Sequence, residues 1–378
     1  MATILHLITG LEAGGAEGML ARLATHSDPA RFTSIVVSMT DAGTIGPSLA
    51  AAGIAVETLG IRRGAIDPRG VTRLVRLLRA WRPDIIQTWL YHADLLGLLA
   101  SRLAPSAPLL WNIRCSESLG STVVRAILAR LSALPQRVVV NSLTGQRYHE
   151  AIGYRPRRWA YIPNGFDTAA LRPDGMARRR LRSELAIGGD AVAVGMVARY
   201  HPMKDHATFL AAAAQAAARR PELVFLLVGA GIDQTNRELM QAIAAHGIGP
   251  QVRLLGPRAD MGAVYPAFDM LVSSSAFGEG FTNVLGEAMS CGVPCIATAS
   301  GDAAEIVGPA GIVVACRDPA ALGIAIARLA SAPDERRGRG AASRERVERE
   351  YGLAAIVARY AALYDEVLAD GGTLRRSA

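Results

Sequence analysis

Short apolar runs alternate with amphipathic stretches along almost the whole chain, and this alternation limits the fold more than any other feature. Apolar runs buried on both faces and separated by helical segments point to βα units and parallel sheets. In the first half, Ile4–Thr9, Thr33–Met39, Ile85–Thr88, Leu109–Ile113, Arg137–Val140 and Trp159–Ile162 read as strands, with helices over Ala16–Ala24, Val71–Ala80 and Val123–Leu131. Pro163-Asn164-Gly165 then marks a turn. A second series follows: strands Val192–Val197, Leu223–Val228, Val252–Leu255, Met270–Ser274, Pro294–Thr298 and Gly311–Val314, and helices Ala207–Arg219, Arg237–Ala245, Val284–Ser290 and Pro319–Ala330. Asp167–Asp190 reads as a connection with one short helix, Asp334–Glu350 as a charged segment, and Leu353–Leu368 as a closing amphipathic helix. The expected architecture is α/β: two facing Rossmann-like domains, 1–167 and 168–350, with an inter-domain cleft, and a C-terminal helix, 351–378, packing back toward the first domain.

Composition narrows the class. The 378 residues are 51% hydrophobic and 20% charged, a globular balance, and no apolar run approaches the ~20 residues needed to span a bilayer. The start, Met-Ala-Thr-Ile-Leu-His, has no basic segment before its apolar residues and reads as a first strand rather than a secretory signal. Four cysteines, Cys115, Cys291, Cys295 and Cys316, form neither a C-x-x-C pair nor a disulfide framework, so a reduced, cytoplasmic protein is expected. The net charge of +8 is uneven: residues 1–167 carry 18 arginines against 11 acids, a net +7. This half is expected to face something anionic, either a membrane surface or a phosphorylated acceptor, unless the charge only aids solubility. Between Arg69 and Arg82, Arg73, Arg76 and Arg79 recur every three residues among Leu74, Leu77, Leu78 and Trp81. Such a helix either lies on an anionic membrane or packs on its own sheet with a solvated basic face.

The residues just after strands are where ligands bind in open parallel sheets. Gly10-Leu11-Glu12-Ala13-Gly14-Gly15 follows the first strand and opens a helix, a place where backbone N–H groups approach phosphate. It is neither a dinucleotide fingerprint nor a P-loop. In Gly195-Met196-Val197-Ala198-Arg199-Tyr200-His201-Pro202-Met203-Lys204, Arg199 and Lys204 share one strand-to-helix loop, where two cations suit a diphosphate. Lys204 is the one lysine among 41 basic residues, and its side chain is expected in the open, with no part in stability. His201 and His206 have no acidic pair to complete a metal site. The most specific segment runs from Phe277 to Met289, with Glu279 and Glu287 eight positions apart. Glu279 is placed on a loop and Glu287 on the helix that loop opens, flanking backbone N–H groups at Phe281, Thr282 and Asn283.

This arrangement resembles glycosyltransferase family 4, of the GT-B fold, over nearly the whole chain. Glu279, Gly280, Phe281, Glu287, Ala288, Met289, Gly292 and Pro294 match the family's E-x7-E element; Ala198-Arg199 through Lys204 resembles its G-R-x-x-x-x-K element, with alanine for glycine. Asn164-Gly165-Phe166-Asp167 and Gly14-Gly15-Ala16-Glu17 resemble two further elements. The resemblance implies a retaining, metal-independent transferase that needs no cofactor and moves a hexose or N-acetylhexosamine from a UDP- or GDP-sugar. The acceptor would be a saccharide or a lipid-linked molecule in cell-surface polysaccharide or glycolipid synthesis, and the enzyme would be cytoplasmic or peripheral at the inner face of the cell membrane. Glu287 would hold the donor ribose, Glu279 with the backbone at Gly280, Phe281 and Thr282 the transferred sugar, and Arg199 and Lys204 the diphosphate, with Gly15 approaching it from the other domain. Gly256–Arg258 would lie near the base. Glu279, Arg199 and Lys204 are the expected catalytic residues. Where many relatives have a histidine after the Leu109–Ile113 strand, this chain has Asn112-Ile113-Arg114, so His92 and Arg114 are the candidates for the sugar-facing or acceptor-side role.

No D-x-D pair, the signature of metal-dependent glycosyltransferases, occurs anywhere in the chain. The remaining alternatives are a nucleotide-sugar epimerase on a similar scaffold and a non-catalytic partner subunit; nucleic acid is not an expected partner. The intact set Glu279, Glu287, Arg199 and Lys204 argues against a decayed, non-catalytic site.

Overall fold

The computed structural model describes residues 1–12, 14–62, 67–104, 107–114 and 122–376, which leaves Cys115 outside. They fall into two compact units, Met1–Gly165 with Leu353–Ala378, and Phe166–Gly352.

The first unit is built on seven parallel strands: β1 (Ala2–Ile8), β2 (Phe32–Ser38), β3 (Ala55–Thr58), β4 (Ile85–Trp89), β5 (Leu109–Ile113), β6 (Arg137–Val140) and β7 (Trp159–Tyr161), in the order β3-β2-β1-β4-β5-β6-β7. In register, Ile4 of β1 faces Ser34 and Ile85, and Ile8 faces Ser38 and Trp89. Successive residues of β1 feed different cores: Leu5 and Leu7 pack with Leu74, Leu78 and Trp111, whereas Ile4 and Ile8 pack with Met19, Leu20 and Trp89. That second core is closed by the helix Leu353–Arg376, which adds Ile356, Tyr360, Leu363, Tyr364 and Val367. Tyr360 stacks on Trp89 at 6.4 Å and Tyr364 meets Phe32 edge-on at 5.5 Å. Arg137, nearly buried at the start of β6, pairs with Glu366 at 2.5 Å and Asp370 at 2.9 Å on the same helix. Helix Tyr91–Ser101 and strand β3 carry no clear period in the sequence. Seven of the helix's residues are buried, Asp94 among them, while apolar Leu99 is exposed, so no polar stripe marks a solvent face.

The second unit holds β8 (Val192–Val197), β9 (Leu223–Val228), β10 (Val252–Leu254), β11 (Met270–Ser273), β12 (Cys295–Thr298) and β13 (Ile312–Val314), all parallel, in the order β10-β9-β8-β11-β12-β13. Asp167–Asp190, read as a connection with one short helix, and Asp334–Glu350, read as a charged segment, are both built into this unit. Within Asp167–Asp190, helix Gly175–Glu184 sends Arg178 and Arg182 to Asp269 at 2.7 and 2.9 Å. Burial pushes the Asp269 carboxyl up, but the Ala193 N–H and the two arginines outweigh it and hold it below the usual range. The charged stretch Asp334–Glu350 is helix Pro333–Arg346 followed by a wider π turn, Val347–Tyr351. Its arginines cap neighbouring elements: Arg339 donates to the carbonyl of Gly311 at 3.0 Å, Arg346 to that of Glu305 at 2.7 Å, and Arg344 to that of Ser290.

Three histidines are buried and held neutral. Burial lowers His6 to about 3, His149 to about 4 and His206 to about 4. His149 lies between Tyr91 Oη at 2.7 Å on Nε2 and the Gly145 carbonyl at 2.6 Å on Nδ1, so one ring nitrogen accepts while the other donates. For such a group the unfolded chain takes up a proton first as the pH falls, so stability is lost between pH ~6.5 and the lowered folded value. His149→Gln keeps one donor and one acceptor but does not titrate. Its melting temperature is expected to fall less than that of the parent between pH 6.5 and 4, as read by thermal denaturation in matched buffers; an identical pH profile would show that His149 carries none of the acid sensitivity.

Candidate functional site

The carboxyl edge of the second sheet gathers four of the residues that the sequence singles out, Arg199, Lys204, Glu279 and Glu287. After β8 the chain runs through Ala198, Arg199 and Tyr200 to a 3-10 turn, Pro202–Lys204, and then helix His206–Arg219. Asp205 links turn and helix in a left-handed conformation (φ 48°), and its carboxylate accepts from the Thr208 N–H at 3.1 Å and hydroxyl at 2.7 Å. Gly229, after β9, has φ 148°, and a Cβ there would lie 2.1 Å from the Ala198 carbonyl oxygen, so only glycine lets the two strand ends close. The Gly229 N–H in turn donates to the Gly256 carbonyl at 2.8 Å.

β11 lies beside β8, and the loop that follows it is tied to the Lys204 turn. The Ala276 N–H donates to the Met203 carbonyl at 2.9 Å, and Ser274 Oγ donates to the Lys204 carbonyl at 2.9 Å. These bonds bring Lys204 Nζ onto Glu279 Oε1 as an ion pair, with side chains only 18% and 8% exposed. Ser275 Oγ donates to the same oxygen at 2.6 Å. Ser275 is itself fixed, because Thr298 Oγ1 donates to its carbonyl at 2.6 Å. Behind the carboxylate, Gly301 (φ 59°) leaves no room for a Cβ, which would stand 2.6 Å from the Glu279 carbonyl oxygen, and the Asp302 N–H donates to the Gly280 carbonyl at 3.0 Å.

Glu287 is oriented separately. It sits on helix Asn283–Ser290, and its Oε2 accepts from buried Tyr265 Oη at 2.6 Å. Burial, then the Glu287 carboxylate, pushes the Tyr265 hydroxyl well above its ordinary value, so it remains a donor. Thr282 is the N-cap of this helix without capping it through its side chain; its hydroxyl is buried and has no partner among the described residues. The Phe281 ring is structural, stacked on Phe166 at 6.1 Å and edge-on to Tyr351 at 5.7 Å. Gly286 makes room for Phe166, whose ring would stand 2.1 Å from a Cβ. Arg199 is exposed and makes no ion pair or hydrogen bond among the described residues. Buried His206 packs on Tyr200 at 5.0 Å while His201 is exposed, and among the described residues no three His, Cys, Asp or Glu side chains group as metal ligands.

The sequence misses Tyr265, Ser275, Thr298 and Gly301. The serines directly after β11 carry a faint signal, being polar residues at a strand's carboxyl end; Tyr265 carries none. The expectation of an open Lys204 is corrected by its burial against Glu279.

In the first unit, Gly15 is the exposed first residue of helix Gly15–His26, and Gly14 is its extended N-cap. His92 is exposed at the second position of helix Tyr91–Ser101, just after Leu90 with its positive φ of 74°. Arg114 is engaged within the unit: Nε donates to Asn112 Oδ1 at 3.0 Å, Nη1 to Asn164 and Nη2 to Tyr360, with the guanidinium 4.8 Å from the centre of the Trp89 ring. It joins β5, the turn after β7 and the closing helix.

Two parallel α/β units with this topology match solved glycosyltransferases of the GT-B class. Alr3699/HepE of Anabaena, in complex with UDP and glucose, superposes with a TM-score of 0.84 at 25% identity, covering 97% of this chain and all of that one. Sucrose-phosphate synthase of Thermosynechococcus elongatus superposes at 0.79 with 21% identity over 97% of this chain and 100% of that one, a likeness of fold. Residues 13–170 match the family model for Glycosyltransferase Family 4, and residues 191–332 that for Glycosyl transferases group 1. The GDP-mannose-dependent alpha-(1-6)-phosphatidylinositol monomannoside mannosyltransferase of Mycobacterium tuberculosis is 31% identical over 296 residues, 74% of this chain and 75% of that protein. The D-inositol 3-phosphate glycosyltransferase of Geodermatophilus obscurus is 33% identical over 248 residues, 60% of this chain and 53% of that protein. The chain belongs to glycosyltransferase family 4 and is a glycosyltransferase acting on nucleotide sugars.

Lys204→Ala removes the counter-ion of a nearly buried carboxylate. A loss of about 1–3 kcal/mol of stability is expected, since the Ser275 bond alone remains on Oε1. Adding Glu279→Gln to Lys204→Ala removes the stranded charge and is expected to recover most of the lost melting temperature. If Lys204→Ala alone melts like the parent, the pair contributes nothing to the fold.

Proposed function

We propose that this enzyme moves a hexose or N-acetylhexosamine from a UDP- or GDP-sugar, with retention of anomeric configuration and without a metal ion, onto a saccharide or lipid-linked acceptor in cell-surface polysaccharide or glycolipid synthesis. The observation that carries the reading is one carboxyl edge holding unpaired Arg199, the Lys204–Glu279 pair and the N-terminus of helix Asn283–Ser290. Arg199 and Lys204 neutralise the diphosphate as charge builds on it in the transition state. Glu287, with Oε2 held by Tyr265, keeps Oε1 for the ribose hydroxyls. Glu279 and the N–H groups at Gly280, Phe281 and Thr282 take the hydroxyls of the transferred sugar. Same-face attack assisted by the leaving diphosphate accounts for retention, because both carboxylates are committed to binding. The donor range follows the relatives, one named for GDP-mannose and one solved with UDP and glucose.

On the acceptor side, the reading includes a cytoplasmic enzyme lying on an anionic membrane. The neighbouring helices Pro68–Trp81, Tyr91–Ser101 and Thr122–Leu131 support it. Leu99, Leu103, Val123 and Ile127 are 49, 59, 68 and 38% exposed there, beside exposed Arg76, Arg79, Arg102 and Arg130. Exposed apolar side chains and exposed arginines on adjoining helices suit the boundary between lipid tails and anionic head groups. Arg73 stands apart, half-buried and donating to the Leu59 carbonyl, so it is not part of this face. No helix among the described residues is long and apolar enough to cross a membrane.

Two experiments test the reading. With a panel of UDP- and GDP-sugars, product formation is expected to survive EDTA and proton NMR to show the donor's anomeric configuration. Glu287→Gln is expected to weaken nucleotide binding about tenfold, roughly the 1.4 kcal/mol of one charged hydrogen bond. An inverted product, or activity lost with EDTA and restored by manganese, overturns the chemistry. Separately, co-sedimentation with phosphatidylglycerol vesicles is expected to fall with salt and to be abolished by Leu103→Glu with Ile127→Glu, with nucleotide binding unchanged. Equal sedimentation with neutral and anionic vesicles argues for a soluble acceptor instead.

A further inference from the structure

Glu279 is held by two donors on one oxygen. Lys204 Nζ and Ser275 Oγ both reach Oε1, while among the described residues no side chain is bonded to Oε2. The Lys204 turn is fixed through its backbone: Ser274 Oγ donates to the Lys204 and Asp205 carbonyls at 2.9 and 3.2 Å, and Met203 accepts from the Ala276 N–H at 2.9 Å. The four-carbon stem of Lys204 is therefore the part free to change direction. Ser275 has no such freedom, with its backbone pinned by Thr298 and its own residue 2% exposed.

On the donor reading above, the same ammonium is called upon twice, by the Glu279 carboxylate in the free enzyme and by a diphosphate when the donor binds. We infer that Lys204 exchanges partners: the arriving diphosphate displaces Glu279, and Ser275 keeps the released carboxylate in place as a positioning residue. The diphosphate carries more charge than the carboxylate and presents more acceptor oxygens, so it wins the contest; the carboxylate still opposes binding by the energy of the bond that breaks. Without Ser275 a nearly buried carboxylate would lose both partners at the moment the sugar needs a fixed acceptor. With it, Oε1 stays anchored and Oε2 stays turned to the sugar. The Lys204–Glu279 bond thus makes a bare nucleoside diphosphate bind more weakly than the cations alone would allow, and the sugar, by bonding to the freed carboxylate, recovers that loss for the intact donor. Product release is eased by the same exchange, because Glu279 recaptures Lys204 once the sugar has left.

The exchange has two independent readouts. In calorimetric titrations with UDP and GDP, Glu279→Gln is expected to bind its preferred nucleotide about three- to tenfold more tightly than the parent while losing sugar transfer, since a neutral amide competes poorly for the ammonium. Because Lys204 is the only lysine in the chain, lysine labelled with 13C at Cε gives a single NMR signal from the protein. That signal is expected to move on saturation with nucleotide in the parent. In Glu279→Gln it is expected to start away from the parent's free position. For Ser275, Ser275→Ala is expected to lower kcat about tenfold with the donor KM within about twofold, and Ser275→Thr, which keeps the hydroxyl, to restore it. Unchanged or weaker nucleotide binding by a folded Glu279→Gln, or an NMR signal indifferent to nucleotide in the parent, overturns the exchange. Equal loss in Ser275→Ala and Ser275→Thr overturns the positioning role. A parent enzyme that binds neither UDP nor GDP overturns the donor reading itself and the exchange with it, a result distinct from tight binding that ignores Glu279.

Discussion

Everything in the second unit follows from the constraint that all strands of its sheet run parallel and are covered on both faces. A parallel sheet sends every strand to the same edge, and each return crosses through a helix. The loops after β8 and β11 therefore meet, because those strands are neighbours although Met270 lies far along the chain from Val197. Burying such loops obliges their polar groups to find partners, and the Ser274, Thr298 and Ala276 bonds are those partners. Two glycines, Gly229 and Gly301, take positive φ where a side chain would strike a carbonyl of the adjoining loop. The ion pair between Lys204 and Glu279 is the outcome of this packing: neither residue reaches the other except through bonds that fix both backbones.

The parts of this site legible in the sequence are those whose chemistry is carried by local spacing. Glu279 and Glu287 announce themselves because a loop-to-helix turn with glycines and two acids is a local pattern, and Arg199 and Lys204 because they share one loop after a strand. Tyr265 is invisible for the opposite reason. It precedes Glu287 by 22 positions, on a short turn whose apolar neighbours mark it only as core, and its hydroxyl matters through one bond made in space. Ser275 is similar, since a serine after a strand is common and the meaning comes from Glu279 folding back over it. The stretches to which the sequence assigned no element have a physical cause as well. Asp334–Glu350 reads only as a charged segment because arginines and acids dominate it, yet Arg339, Arg344 and Arg346 are spent on carbonyl groups of other elements, while Val347 and Tyr351 reach the core. Tyr91–Ser101 fails for want of a polar face.

The use of arginine elsewhere contrasts with the setting of the lone lysine. Arg137 joins two acids of the closing helix, Arg178 and Arg182 share Asp269 and nearby carbonyls, and Arg114 spreads three nitrogens over Asn112, Asn164 and Tyr360. In each case a flat, branched cation spans several acceptors at once and ties elements together permanently. That is the behaviour of a structural cross-link. Position 204 meets one carboxylate oxygen, which Ser275 already shares, between a turn and a loop whose backbones are pinned. A compact ammonium with rotating donors satisfies that single oxygen, and in the inferred exchange it gives the contact up without dismantling a network. On the exchange inferred above, the fixed joints are built from arginine and the single lysine makes a contact that is released.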